Sequence, residues 1–388
     1  MRTSEDGAIR IEAVADQGAM ARFIRLPFDL HHNDPHWVPP LVMERRDHLN
    51  PRKNPWFDHG EARYWLAYRG DRPSDQPVGR ISAQIDRTYL ERYGDATGHF
   101  GFLEGADDGA VFHGLFSAAE GWLRKLGMSR VRGPFSLSIN DESGLLVAGF
   151  DTPPSMMMGH ASPYYGRRVE AEGYGKAMDM LAYLYESHQV MPDGPKALIA
   201  RLRQAGDVTL RPLNKRRYDH DLGIILDIFN DAWSNNWGFV PFTAAEVAHL
   251  AAELRPLIRS NLVCIAEVGG EPAAMAVSLP NLNEAIADLG GALLPFGWAK
   301  LLWRLKVGRM KSVRVPLMGV RRKFHGRWQG AALVFAVIDS VHCRLMAEGF
   351  ERAEMSWVLE TNRPMRRLLE AVGARPYKTY RVYEKALA

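Results

Sequence analysis

The stretch "VRRKFHGRWQGAAL", residues 320–333, sets Arg321, Arg322, Lys323, His325 and Arg327 within eight positions and then turns apolar at Ala331. Gly326 and Gly330 interrupt it. Beyond it, Val334, Val337, Ile338, Val341 and Leu345 recur at the spacing of one helix face. The basic run therefore stands where a helix begins. A helix start carries unpaired backbone N–H groups and a partial positive charge. Two readings follow. The run is a solvated helix start, or it cradles an anion, with Gly330 letting the backbone approach the ligand and Ala332 keeping the next turn slim.

The surroundings of this run repeat. "GMSRVRGPFSLSIN" (Gly127–Asn140) and "GFERAEMSWVLETN" (Gly349–Asn362) both read glycine, strand-like stretch, asparagine, at equal spacing. At the same offset, Phe112, Leu115, Phe116, Ala119 and Leu123 fall on the helix-face residues named above. Further on, "RRVEAEGY" (Arg167–Tyr174) echoes "RLLEAVGA" (Arg367–Ala374), after 22 additional residues in the first half. Agreement in order across helix, strand and helix implies two copies of one α/β unit. A chain of 388 residues with 46% hydrophobic content suits two such domains. The join is expected between Tyr185 and Leu210, which divides the chain into 1–190 and 191–388.

In the second copy, "VTLRPLN" reads as a strand and "HDLGIILDIFNDAW" as a helix. "TAAEVAHLAAELRPLI" is a helix capped by Thr243 with Glu246 three residues on. "NLVCIAEVGGEPAAMAVSLP" is a hairpin turning at Gly269-Gly270. A basic helix, the strand "VRVPLMGV", the helix 331–348, the strand "AEMSWVLE", the helix 363–372 and a closing strand complete it. In the first copy, "RYWLAYRGDRPSDQPVGRISAQID" is a hairpin and "TGHFGFLEG" a strand.

That order, with its basic loop, resembles the GNAT superfamily of acyl-CoA N-acyltransferases. The family's loop reads Arg or Gln, two residues, Gly, one residue, then Gly or Ala. Arg327, Trp328, Gln329, Gly330, Ala331 and Ala332 fit it, and "ETNRPMRRLLEAVGARPYKTYRVYEK" looks like the family's closing segment. The resemblance covers the second half by motif and the first by topology. It implies an α/β (α+β) protein of two tandem GNAT-like domains, each a mixed, mostly antiparallel sheet flanked by helices. It also implies that the anion is the diphosphate of coenzyme A, so that acetyl-CoA or another acyl-CoA is a substrate. Arg322 and the six loop residues would hold the diphosphate. Met318, Gly319 and Val320 would pair with the pantetheine arm, and Asn362 would reach the coenzyme as well as cap its helix. Arg327 stands further from Val320 than the family's spacing, so either the loop bulges or Arg321 and Arg322 share the role. The matching loop of the first half is "GADD" (Gly105–Asp108), whose acids suit helix capping and repel a diphosphate.

Acyl transfer from a thioester needs a deprotonated amine, a stabilised oxyanion and a proton for the leaving thiolate. Glu360, at the end of the strand "AEMSWVLE", is the candidate base; its plain alternatives are a solvent-facing carboxylate or a partner for Arg363. The family's helix tyrosine is replaced by Leu369. Tyr377, Tyr380 and Tyr383 in the closing strand are what remains, with Tyr380 the candidate acid. His31, His32 and His36 lack the spacing and glutamate of a helical metal motif, so no metal is expected. The loops "HHNDPHWVPPL", "NPWFDHGE", "NDESG" and "WSNNWGFVP" are expected to wall the acceptor pocket.

The expected activity is acyl-CoA-dependent N-acyl transfer of an acetyl or longer group to a small-molecule or peptide amine. A Fem-like aminoacyl or peptidyl transferase and a non-catalytic coenzyme A or acyl-carrier binding module are the alternatives. From Leu293 to His325 there are nine Lys or Arg and no acid. This segment, 293–323 in its core, is a solvated basic face or a surface for an acidic partner or membrane headgroups. A net charge of +4 is too mild to argue for DNA. No apolar run reads as a membrane span, the first residues do not read as a secretory signal, and the two cysteines suit a reducing, cytoplasmic setting. Oligomeric state is open.

Overall fold

The computed structural model describes residues 8–70, 76–206, 208–308 and 310–387. The turn of the first hairpin (71–75) and Arg309 of the basic segment lie outside the described residues. Contacts divide the chain into two units. One holds Met1–Asp179, Ile286–Leu293 and Thr379–Ala388; the other holds Met180–Ala285 and Leu294–Lys378.

The first unit contains β1 (Ile9–Ala13), α1 (Gln17–Leu30), α2 (Val42–His48), β2 (Gly60–Arg69), β3 (Pro77–Asp86), α3 (Arg87–Tyr93), β4 (Thr97–Gly105), α4 (Gly109–Lys125), β5 (Arg130–Gly133), β6 (Leu145–Ala148) and α5 (Tyr165–Ala171). Strands β1 to β4 form an antiparallel meander, and β4 then pairs in parallel with β5 through Thr97–His99 and Arg130–Arg132. Asp108 starts α4 by accepting from the Ala110 N–H. Phe112, Leu115, Phe116 and Leu123, the face read from sequence, are all buried.

From β7 (Gly175–Glu186) the chain continues into the second unit. There follow α6 (Asp193–Gln204), β8 (Val208–Pro212), α7 (Tyr218–Trp233), α8 (Ala244–Leu254), β9 (Val263–Val268), β10 (Glu271–Pro280), α9 (Leu282–Ile286), α10 (Gly297–Lys306), β11 (Ser312–Val320), α11 (Trp328–Glu348), β12 (Arg352–Leu359), α12 (Arg363–Ala371) and β13 (Arg375–Ala386). Local chemistry fixes these elements. Thr243 and Glu246 close a reciprocal capping box at α8. Gly269 and Gly270, at φ 60° and 79°, make the β9–β10 turn. Gly349 ends α11 in the left-handed region. The strand order is β7-β12-β11-β10-β9-β8, with β11 and β12 parallel.

A single cut near residue 190 does not reproduce either unit. The last strand of each copy is shared out. Residues of β7 from Met180 pair with β12 in the second unit, whereas β13 from Thr379 pairs with β5 and β6 in the first. The boundary therefore does not follow chain order.

Helix α11 has 21 residues and a mean hydropathy of 1.5 over its best window, long and apolar enough to cross a membrane by length and composition. The sequence reading passes over it because polar residues interrupt the run. In the fold, Leu333, Val337, Val341 and Leu345 bury one face of it in the core of the second unit.

Beside the parallel pair of the first unit, His99 is wholly buried, edge-on to Tyr89 and Phe135. Burial pulls its pKa down to about 4. The unfolded chain takes up a proton near the ordinary value of ~6.5, and the folded chain does not until far lower pH. Stability is therefore expected to fall as pH drops from ~6.5 towards 4. His99→Phe should flatten that part of the curve in urea melts, and an unchanged slope would contradict the assignment.

Candidate active site

Strand β11 decides the geometry of the second unit. It pairs with β12 only over Ser312–Val315 and Arg352–Met355. The next residue is Pro316, which has no backbone N–H to offer. Opposite it, β10 bulges between Val277 and Leu279, and β12 shifts register between Met355 and Val358. Beyond this level β11 keeps only β10, through Leu317–Val320. A notch thus opens between the two parallel strands, directly before the basic loop.

The loop does bulge. A 3₁₀ turn, Arg322–Phe324, lies between β11 and α11 and accounts for the late position of Arg327. Most of its charge is already engaged. Arg321 reaches Asp227 at 2.5 Å, Arg322 takes Asp231 through side chain and backbone, and Lys323 takes Glu271 at 2.6 Å. These bonds hold the Asp231 and Glu271 carboxyls below the usual carboxylate range, though burial weighs against it at Asp231. Arg322, expected on the diphosphate, is therefore tied to α7. Arg327 has no side-chain partner among the described residues and stands exposed at the start of α11, which no side chain caps. Trp328 lies under the Arg201 guanidinium at 4.1 Å, and Gln329 and Ala331 are half-buried. Ala332 is in the core.

Gly330 also answers a constraint within the loop itself. A Cβ there would stand 2.3 Å from the carbonyl oxygen of Phe324. The loop folds onto its own helix start, and only glycine leaves room. Along β11, the carbonyls of Met318 and Val320 accept from Trp233 at 3.1 Å and His325 at 2.8 Å. A Cβ at Gly319 would stand 3.2 Å from the Ala232 side chain of α7. Asn362 caps α12 by accepting from Met365. At the base of the notch, Val315, Met318, Ile338, Val341, Leu345 and Met355 help to line an apolar cavity of about 30 Å³.

Charged residues missed by the sequence reading sit at the same level. Arg314 and Glu354 are register partners in the parallel pair, and both are buried. Arg314 donates to the Ser356 hydroxyl at 3.0 Å, Ser356 donates to Glu354 at 2.6 Å, and the Tyr377 hydroxyl also donates to Glu354. The Arg314 guanidinium lies 4.8 Å from the centre of the Trp357 ring. An arginine between Val313 and Val315 and a glutamate between Ala353 and Met355 were the available signal. Glu360 follows β12, with its carbonyl bonded to Arg366 at 3.0 Å. Tyr380 and Tyr383 belong to the first unit, where Tyr380 is fully buried opposite Leu146. Tyr377 alone of the three strand tyrosines is in the unit that carries the loop. Leu369 is wholly buried in the core, so that position has no room for a tyrosine.

Among the described residues, the first unit lacks the notch. Phe135 follows β5 and donates its N–H to Phe100 at 2.7 Å, so the chain hugs β4 past the parallel pair. Its loop acids are engaged as well: Asp108 caps α4 and pairs with Arg69, and Asp107 pairs with Arg168. This unit instead buries a polar cluster. Glu104 accepts from Tyr165 at 2.7 Å and bonds His31 at 2.9 Å, with Arg80 at 3.6 Å. Burial lowers the Arg80 pKa to about 10. His160 bonds Asp34 at 2.7 Å, and Arg45 pairs with Glu142. The motifs expected to wall a pocket supply His31, Asp34 and Glu142. His31, Asp34 and His160 bring ligand-type atoms within 4.8 Å of one another, whereas His32 is exposed. Sequence spacing hides this trio because His160 lies in the inserted segment.

No protein-family model matches the chain. It is 50% identical over 385 residues to a bacterial ceramide synthase of Caulobacter vibrioides, with 99% of each chain covered. It is 45% identical to Protein YghO of Escherichia coli, covering 97% of this chain and 95% of that one. The chain belongs to the family of these two proteins. Its fold is that of tandem GNAT proteins. A tandem GNAT protein from the clavulanic acid biosynthesis pathway superposes with a TM-score of 0.55 at 12% identity, over 98% of this chain and 99% of that one. A GCN5-related N-acetyltransferase from Sphaerobacter thermophilus gives 0.52 at 14% identity, over 97% and 96%.

Two measurements check this geometry. Gly330→Ala must push the Phe324 carbonyl aside, and overpacking of this kind costs about 1–3 kcal/mol, readable by denaturant melts; a neutral substitution would contradict the close approach. Burial disfavours the His31 imidazolium, but Glu104 outweighs it and raises the pKa. Proton NMR should therefore find His31 titrating above its ordinary value, and Glu104→Gln should bring it below.

Proposed function

We propose that this chain transfers a long fatty acyl group from coenzyme A to the amine of a long-chain amino alcohol. A ceramide is an amide of that kind, and the Caulobacter relative, half identical over nearly its whole length, is named for making one. The observation that carries the site is the start of α11, where among the described residues no side chain caps the helix and Arg327 has no side-chain partner, directly after a strand that has lost its parallel neighbour. Unpaired N–H groups, the helix dipole and one free guanidinium suit a diphosphate. The notch gives the thioester arm a strand edge to lie along.

The amine nitrogen attacks the thioester carbonyl, the C–N bond forms, the C–S bond breaks, and the thiolate leaves. Glu360, at the open end of β12, takes the proton from the amine. The Tyr377 hydroxyl turns its one proton from Glu354 to the thiolate and regains a proton from solvent after the thiol leaves, and the Ser356–Arg314 arm keeps Glu354 in place. A thiol is already a fair leaving group near neutral pH, so this acid assists the step without being indispensable. Met318 and Met355, flexible side chains on the small apolar cavity, can move to admit part of an acyl chain.

Coenzyme A at about a hundred times its Kd should stabilise the protein by about 2.7 kcal/mol, and Arg327→Glu should remove the shift. With palmitoyl-CoA and sphinganine, mass spectrometry should detect the amide. General acid help is typically worth ~10²–10⁴-fold, so Tyr377→Phe should lower turnover at least about a hundredfold with coenzyme A affinity kept. Tyr380→Phe and Tyr383→Phe should leave it near the wild-type value. A shift with coenzyme A but no amide would mark a binding protein; no shift at millimolar coenzyme A would refute the site.

A further inference from the structure

We propose that helix α10 docks this protein onto the surface of a lipid bilayer carrying anionic headgroups. Among the described residues, eleven large hydrophobic side chains are exposed, and six of them fall between Leu294 and Val307. These six are Leu294, Phe296, Trp298, Leu302, Trp303 and Val307, each between 44% and 80% exposed. Elsewhere on the described surface such residues are scattered singly, which needs no explanation.

The helix has a second apolar side, and that one is used. Leu301 and Leu305 pack on the core of the second unit, and Arg304 donates to the Ala285 carbonyl at 2.8 Å. With those residues turned inward, Leu302, Trp303, Lys306 and Val307 share the outward face. Trp298 anchors the preceding turn through its indole N–H on Pro295, at 3.1 Å, while the ring stays exposed. So the outward apolar face is held in place by a buried one; it is not a frayed segment.

Charge selects the occupant. No Asp or Glu occurs from Leu293 to His325. Lys311, Arg321, Arg322 and Lys323 have acidic partners from elsewhere in the fold. Lys300 and Lys306, on the helix itself, are exposed beside the tryptophans, and Lys306 has no partner among the described residues. Indole rings with lysines around them match the headgroup level of a bilayer, where an apolar body and a polar edge are both accommodated. A second copy of this chain would bring the same positive charge against itself. An acidic protein would answer the lysines but leave six exposed apolar side chains to be matched. The docking stands on this surface alone, independent of the acyl-transfer reading.

The test uses the full chain with vesicles of phosphatidylcholine alone and of phosphatidylcholine mixed with phosphatidylglycerol. Sedimentation should recover the wild type with the mixed vesicles, weakly with the neutral ones, and less as salt is raised. Trp298→Glu with Trp303→Glu should abolish recovery. Lys300→Glu with Lys306→Glu should weaken binding to mixed vesicles by about fivefold per charge or more. As a readout free of any variant's folding, lipids brominated in the acyl chains should quench wild-type tryptophan fluorescence. Failure of the wild type to bind mixed vesicles overturns the proposal, as does undiminished binding by the tryptophan variant. Light scattering separates the remaining case: a wild-type dimer that the tryptophan variant turns into a monomer, with no vesicle binding, makes the face a contact between copies and overturns docking.

Discussion

The second unit depends on one interruption of hydrogen bonding. Pro316 ends the pairing of β11 with β12, and the bulges in β10 and β12 stand at the same level. A parallel sheet that continued would leave no edge for a ligand. Because it stops, the last residues of β11 have one neighbour instead of two, and the loop that follows is delivered to the mouth of a notch. The bulge of that loop, and the need for glycine at 330, follow from having to turn from this strand into α11 at close quarters.

The two copies answer the same topology differently. Where the second unit opens after its parallel pair, the first closes, with the Phe135 amide on the Phe100 carbonyl. Where α11 begins uncapped beside Arg327, α4 begins with an aspartate that supplies its own negative charge to the helix dipole. The first unit has kept its polar residues for a buried cluster around Glu104. The scaffold recurs in both units, and their two helix starts differ in the charge they present.

Local chemistry made much of the fold legible in the sequence. The Thr243–Glu246 box, the Gly269-Gly270 turn and the strand Thr97–Gly105 are all where residue type alone puts them. What stayed hidden was set by distance. Arg314, Glu354 and Tyr377 meet only through strand register, and His31 meets His160 only through the inserted segment. Gly330 was legible as a close approach, but the sequence could not say that the approaching atom is the loop's own carbonyl. The basic face of α10 was readable too; its apolar outward side was not, since tryptophan and leucine at helical spacing look the same whether buried or exposed. The sharing of β7 and β13 between units leaves no mark in composition at all.

Amide hydrogen exchange with and without coenzyme A tests the central claim most directly, because it locates the ligand by residue. Protection should rise in the segment from Leu317 through Leu333, which joins the free edge of β11 to the first turn of α11. The matching segment of the first unit, Gly105 to Leu115, should be unchanged. Protection confined to the first unit, or none in either, would contradict the account.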